Sequence, residues 1–327
     1  MHTVKIGTRG SKLALSQTQQ ITEILSAIGG FDAELVTIKT DGDVLTGPLS
    51  QMGGTGVFAV ELRTALLDSR VDVAVHSLKD LPTAAVPGLS LAAVPMRGDS
   101  RDALCARDGL TLAQLPQGAT VGTGSPRRAA QLLAARPDLA IVDIRGNVDT
   151  RLARVPGLPG NASDDVVPGK TADLDAVVLA AAGLTRIGRI DTVTEFLEND
   201  VMLPAPGQGA LALECRTEDT SLASVLGQAL NALDDQDTRL AITAERALLA
   251  RLEAGCSAPV GAFAFRNGSS LFLEAVVCSL DGVRSLRLKE VTEELSIVGA
   301  TLLGIELAEG LLAGGAADLA DLAGSAK

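Results

Sequence analysis

The 327-residue sequence predicts an α/β chain: two strand–helix units, then a smaller α+β unit. Three observations lead there. Short apolar runs alternate with periodic helical segments from Val4 to Val75, and the same grammar restarts near residue 100. Beyond Thr238 the pattern changes to one long helix, a hairpin signal and a closing helix. Alternation of this kind implies largely parallel sheets covered on both faces.

In order, Val4–Gly7 reads as a strand and Ser11–Ile28 as a helix. Leu13, Ala14, Ile21, Ile24, Leu25 and Ile28 lie near one face of that helix, and Gly29-Gly30 stops it. Leu35–Thr40 is a second strand, Val57–Leu67 a second helix and Val71–Val75 a short buried strand. In the second unit, Thr120–Gly122, Ala140–Ile144 and Ala176–Ala180 are strands, and Pro126–Ala135 is a helix. Ser125 suits its N-cap and Pro126 its first position. A Pro/Gly/Asn/Asp-rich stretch from Val155 to Asp165 reads as a surface loop. Leu203-Pro-Ala-Pro-Gly-Gln-Gly-Ala210 then leads into an apolar strand, Leu211–Cys215, expected to cross back into the first sheet. Thr238–Leu252 is a strongly periodic helix. Val260–Phe265 and Leu271–Val277 flank Arg266-Asn-Gly-Ser269, an Asn-Gly hairpin signal. A strand near Ser285–Glu290 and a helix around Ala300–Leu312 complete the third unit.

Composition narrows the function classes. The chain is 46% hydrophobic, enough for buried cores, yet has six Phe and no Trp or Tyr. Scarce aromatics argue against single-stranded nucleic-acid binding, and a net charge of -12 argues against binding phosphate backbones. No apolar run reaches the roughly 18–20 residues of a membrane span. The N-terminus passes straight into a strand without an apolar signal region, so a cytoplasmic location is expected, with Cys105, Cys215, Cys256 and Cys278 as free thiols.

Against that acidic background, Gly122-Thr-Gly-Ser-Pro-Arg-Arg128 and Arg145-Gly-Asn-Val-Asp-Thr-Arg151 gather four arginines beside Gly/Ser turns. Guanidinium forks pair with carboxylate or phosphate in a bidentate way, so the two segments read as a cradle for a polydentate anion. The bland alternative is a solvated helix start paired to surface acids. Val75-His-Ser-Leu-Lys-Asp80 places polar residues past the end of a buried strand, where open α/β sheets bind ligands. Lys79 reads as an amine that holds an acidic group. Asp80 reads equally as a carboxylate acting on a cationic intermediate or as a turn residue before Leu81-Pro82. His76, ending an apolar strand, is read as structural. Thr8-Arg-Gly-Ser11 has the strand-then-helix form of a weak anion site at Arg9. Gly53-Gly-Thr-Gly56 matches neither a P-loop nor a dinucleotide fingerprint and reads as a flexible loop or lid. Cys215 and Cys278 end apolar runs and look like core residues, whereas Cys256 follows a helix stop in a tight loop where a thiolate can form. No His is placed locally to act as its base.

Taken in order, these segments resemble the porphobilinogen deaminase (hydroxymethylbilane synthase) family of tetrapyrrole-biosynthesis enzymes. The resemblance is carried by Thr8-Arg-Gly-Ser-Lys-Leu-Ala14 with Gln17, Val73–Asp80, Gly122–Arg128, Arg145–Arg151, Ala181–Leu184, Leu203–Ala210, and Ala244–Ala247 with Leu252–Cys256. It implies two periplasmic-binding-protein-like α/β domains with a cleft between them, and a small C-terminal α+β domain. The corresponding boundaries are 1–99 with 201–219, 100–200, and 220–327.

The resemblance further implies a dipyrromethane cofactor held as a thioether on Cys256. That cofactor primes stepwise addition of four porphobilinogen units with loss of ammonia, before water releases the linear tetrapyrrole. By match, Lys79, Asp80, Thr123, Ser125, Arg127, Arg128 and Arg151 hold the cofactor. Arg9, Ser11, Gln17, Arg145 and Arg151 position the incoming or terminal ring, and Asp80 stabilises the azafulvene cation. Porphobilinogen is the expected partner, with no metal, nucleic acid or membrane, and a monomer is expected. Two departures stand out: Gln51 and Thr55 occupy positions where the family often has lysine, and the stretch after Arg151 is longer than usual. A non-catalytic anion-binding protein of the periplasmic type is the competing reading.

Overall fold

The computed structural model describes residues 3–39, 59–158, 172–254, 258–320 and 322. The first sheet is built from β1 (Val4–Thr8), β2 (Ala33–Thr37), β3 (Val73–Ser77), β4 (Leu89–Ala93) and β10 (Leu211–Arg216), in the order β2-β1-β3-β10-β4. Helix α1 (Lys12–Gly29) starts where Ser11 Oγ accepts from the Ala14 amide and stops at Gly30, in the left-handed region at φ 62°. Its Ile21 and Leu25 cover one face of the sheet, and Leu62, Ala65 and Leu66 of α2 (Val60–Leu67) cover the other. Each of these buried leucine and isoleucine side chains contributes about 1.5–3 kcal/mol. The expected strand at Leu35–Thr40 begins two residues earlier and ends at Thr37, because β2 pairs with β1 in register from Val4↔Ala33 to Thr8↔Thr37.

The second sheet repeats the plan. Strands β5 (Asp102–Ala106), β6 (Thr120–Gly122), β7 (Ala140–Val142), β8 (Ala176–Ala180) and β9 (Glu195–Leu197) take the order β7-β6-β8-β5-β9. Its helices are α3 (Pro126–Ala135), α4 (Val148–Leu152) and α5 (Ala181–Arg186). In each sheet the antiparallel strand is the one that arrives from the other lobe: β5 runs against β8 and β9, and β10 runs against β3 and β4. The expected return of Leu211–Cys215 to the first sheet is therefore present.

Two segments cross between the lobes, one before β5 and one before β10. They run side by side: the Gly98 amide donates to Gly209 O at 3.2 Å. A Cβ on Gly209 (φ 87°) would stand 2.7 Å from Gly98 O, so only glycine permits this approach.

After α6 (Val225–Leu233), the third unit comprises α7 (Gln236–Arg251), the antiparallel sheet β11 (Val260–Asn267), β12 (Ser270–Cys278) and β13 (Ser285–Thr292), and α8 (Ile297–Ala313). Gly268 (φ 60°) turns the β11–β12 hairpin at the Asn-Gly signal. Helix α6 buries Ala229 and Leu230 in the core of the first sheet, beside Val4, Ile6 and Ile21. Glu245 of α7, fully buried, docks the unit onto the two crossing segments. It accepts from Arg97 Nη1 at 2.6 Å, the Gly207 amide at 2.6 Å and the Ala264 amide at 2.8 Å. Arg246 beside it donates to the carbonyls of Leu81 and Pro82 at 2.9 and 2.7 Å, bracing the chain just after Asp80.

Candidate active site

Both sheets direct the carboxyl ends of their parallel strands toward one cleft, where open α/β sheets bind ligands. From the first lobe, β1 ends at Thr8 and hands over to Arg9 and Ser11, and β3 ends in a tight turn, Leu78–Asp80. Leu78 anchors that turn in the core and its amide donates to Ala210 O at 3.0 Å, so Lys79 and Asp80 are half-buried at the rim. Arg9, Ser11, Gln17, His76, Ser77 and Asp80 line a cavity of about 80 Å³. Ser77 Oγ donates to Gln17 Oε1 at 3.2 Å, which turns the Gln17 amide nitrogen away from Ser77.

The second lobe faces this wall with arginines. The amide of Ser125 donates to Thr123 Oγ1 at 3.2 Å, and Ser125 Oγ caps α3 by accepting from the Arg128 amide at 3.5 Å. The following Arg127 and Arg128 are both buried and share Asp102, the first residue of β5. Arg128 reaches it with Nε at 2.9 Å and Nη2 at 2.7 Å, while its Nη1 donates to Val178 O at 2.9 Å. Arg127 is 4% exposed, and its Nη1 donates both to Asp102 Oδ2 at 2.8 Å and to Leu203 O at 2.6 Å. Burial pushes the Asp102 carboxyl up, but the two guanidinium groups outweigh it and hold it well below the usual carboxylate range.

Arg151 and Arg145 follow β7. Arg151 Nε donates to Gly146 O at 2.8 Å, and Arg145 Nε lies 3.8 Å from Asp143. The cations disturb one another across the cleft. Burial, then the nearby Arg128, lowers Lys79 to about 8. Burial, then Arg128 and Arg145, lowers Arg151 to about 10, with Asp143 and Asp80 opposing. Lys79 of one lobe and Arg128 and Arg151 of the other thus form a single cationic wall around the Asp80 carboxylate. Such a wall is electrostatically strained on its own, and it fits a ligand that brings several carboxylates.

The lobes touch at the mouth of the cleft. Lys12 Nζ lies 3.1 Å from Asp149 Oδ2, Arg189 Nε holds the other oxygen at 3.0 Å, and Ser16 Oγ donates to Arg186 O at 2.7 Å. Arg186 went unnoticed in the sequence. Its guanidinium donates to Gly209 O at 2.6 Å, burial lowers its pKa, and among the described residues it pairs with no carboxylate. The signal was its place just past an apolar strand, Ala176–Ala180.

His76 is buried 3.1 Å from Glu214, which also takes a bidentate pair from Arg63, in keeping with a structural histidine. Cys105, Cys215 and Cys278 are buried, and burial pushes their thiols up to about 11, 12 and 11. Cys256, Gln51 and the glycine-rich loop with Thr55 lie outside the described residues, as does most of the stretch after Arg151. Ala254 and Ala258, on either side of Cys256, pack against the C-terminal core.

Two family models match this chain: the porphobilinogen deaminase dipyrromethane cofactor binding domain over residues 4–224, and the porphobilinogen deaminase C-terminal domain over residues 239–313. The chain belongs to the porphobilinogen deaminase family. A relative named porphobilinogen deaminase from Cutibacterium acnes is 55% identical, with 99% of each chain covered. Another of that name from Micrococcus luteus is 52% identical over 97% of this chain and 94% of its own. A solved ABC-transporter periplasmic substrate-binding protein from Coxiella burnetii aligns over 70% of this chain and 91% of its own, with 16% identity and a TM-score of 0.43. That likeness is too loose to bear on function. The cleft just described lies within the segment matched by the dipyrromethane cofactor binding domain. Among the described residues no helix is long and apolar enough to cross a membrane.

Proposed function

We propose that this chain is the transferase that joins four porphobilinogen molecules head to tail and releases the linear tetrapyrrole hydroxymethylbilane. Each addition breaks the aminomethyl C–N bond of one porphobilinogen and forms one C–C bond. The ring carbon that is attacked gives up a proton, and ammonia leaves. The observation that carries this reading is the Asp80 carboxylate at the cleft rim, set among cations contributed by both lobes.

The dipyrromethane, attached through Cys256, supplies the pyrrole carbon to which the first unit is added. Lys79, Arg128 and Arg151 hold its acetate and propionate groups, with Thr123 and Ser125 shaping the turn from which Arg128 projects. Arg127, committed to Asp102 and Leu203 O, serves by keeping Asp102 and therefore Arg128 in place. Arg9, Ser11, Gln17 and Arg145 orient the incoming ring by its acid groups, and Arg151 serves both rings. Asp80 accepts hydrogen bonds from pyrrole N–H groups and stabilises the positive charge that develops on the substrate as ammonia departs.

We place the first domain at 1–99 and 201–219 with α6 appended, the second at 100–200, and the third from α7 onward. The enzyme works as a monomer in the cytoplasm, in contact with its small-molecule substrate and with neither nucleic acid nor membrane. The test is ammonia release and tetrapyrrole formation from porphobilinogen by the wild type and by Asp80→Asn. The variant is expected to keep its fold and lose turnover by about a hundredfold or more, the scale of removing one preorganised charge stabiliser. Near-normal turnover would reduce Asp80 to a turn residue. Binding of porphobilinogen by the wild type without ammonia release would point instead to a non-catalytic anion-binding protein.

A further inference from the structure

Gln208 stands in the second crossing segment with its side chain 1% exposed, and none of the roles above uses it. Its neighbours settle which way its amide points. Nε2 donates to Ser100 O at 2.8 Å and to Asp102 Oδ1 at 2.9 Å, two acceptors with no hydrogen to give. Oε1 is thereby turned toward Lys79 Nζ, 3.4 Å away. The backbone is pinned as well: the Gln208 amide donates to Ala205 O at 2.9 Å, and its carbonyl accepts from Arg97 Nε at 2.8 Å. Gly207 and Gly209 on either side hold positive φ of 76° and 87°, the tight turn that buries this side chain between the lobes.

We propose that Gln208 is a positioning residue for the reaction, aiming the Lys79 ammonium at the cofactor's carboxylates from the segment that joins the two lobes. The inference rests on the reading that Lys79 grips one of those carboxylates. An amide suits the task better than an acid would. A carboxylate at this point would pair with Lys79 and cancel its charge, whereas an amide oxygen accepts one hydrogen and leaves the charge available to the ligand. Asp102 does two jobs here, since the Oδ1 that orients Gln208 also receives Arg128. Lys79 and Arg128 are therefore registered to each other through two buried side chains, Gln208 of the second crossing segment and Asp102 at the start of β5. The charged groups around Lys79 are Arg127 and Arg128, which repel it, and Asp80 and Asp102, which attract it. Gln208 Oε1 is the neutral member of that set, and losing it favours the uncharged amine.

The test uses the full-length protein as wild type, Gln208→Met, Lys79→Met and the double variant. The first readout needs no turnover: the pH dependence of reductive methylation at Lys79, followed by peptide mass spectrometry. Its midpoint is expected to fall by about half a pH unit or more in Gln208→Met, the worth of one hydrogen bond to an ammonium. The second readout is kinetic. A displaced primer slows the chemical step, so kcat is expected to fall about tenfold while KM for porphobilinogen stays within about twofold. In the Lys79→Met background the same substitution is expected to cost less than about twofold, because its route of action is gone. An unchanged labelling midpoint, or losses that multiply fully in the double variant, would overturn the proposal. Should Gln208→Met fail to accumulate, Gln208→Asn falls one methylene short of Lys79 and must give the same shift. A wild type that consumes no porphobilinogen would sink the reading of the reaction, while the labelling shift would still decide the contact.

Discussion

At the scale of single residues, the protein pairs buried charges in small closed groups. Asp102 serves Arg127, Arg128 and Gln208, and Glu214 serves Arg63 and His76. Burial alone would raise the Glu214 carboxyl, but the bonds from His76 and Arg63 outweigh it and bring it to about 2, from an ordinary value of 4.5. A carboxyl whose folded pKa is depressed contributes stability above its unfolded pKa, and that contribution is lost as pH falls through the folded value. The window is therefore pH 4.5 to about 2, and the contribution at neutral pH is about 3 kcal/mol. Unfolding midpoints measured from pH 7 down to 2 should show Glu214→Gln less stable at neutral pH and converging on the wild type in acid. A constant offset across that range would remove the linkage.

These residue groups were poorly legible in the sequence for a plain reason. Asp102 meets Arg127 across 25 positions and Gln208 across 106, and no local pattern encodes such distances. Lys79, Asp80, Ser125 and Arg128 were legible because strand ends and helix starts announce themselves locally. Arg127 shows the limit of that logic. Its neighbour in sequence faces the cleft wall, while it is drawn to Leu203 in the seam toward the third unit.

Among the elements, the strongly patterned ones fell near their expected positions: α3 at Pro126–Ala135, β8 at Ala176–Ala180 and the β11–β12 hairpin. Those that escaped were β4, β5, β9 and the short helices α4, α5 and α6. β8 shows as a continuous apolar run, whereas β4 and β9 carry polar residues in short spans with no clear alternation, and β5 begins on a charged residue whose partners lie elsewhere in the chain. Helix α7 matters beyond its own packing, since Glu245 ties it to Arg97, Gly207 and Ala264 at once. Replacing Glu245 with Ala leaves the Arg97 guanidinium without its carboxylate and strips an acceptor from two buried amides. The expected loss is about 3–5 kcal/mol of unfolding free energy by denaturant titration. A loss below about 1 kcal/mol would mean that the third unit docks by apolar contact alone.

At the scale of the molecule, two lobes of one plan exchange a strand each, and both exchanges pass through the seam where Gly98, Gln208 and Gly209 meet. The joint between the lobes therefore also carries the partners of Lys79 and Arg128. At the far end the lobes are held by exposed contacts such as Lys12–Asp149, of the kind worth at most about 1 kcal/mol, so motion there costs little. A firm joint, a weak mouth and a cationic wall suit a chain that lengthens while remaining tethered. The tether is the central claim, and intact mass spectrometry of the protein, with peptide mapping, tests it most directly. The account predicts a mass above that of the sequence by one dipyrromethane, with the adduct on the Cys256 peptide. An unmodified Cys256 thiol in protein that turns over porphobilinogen would contradict it.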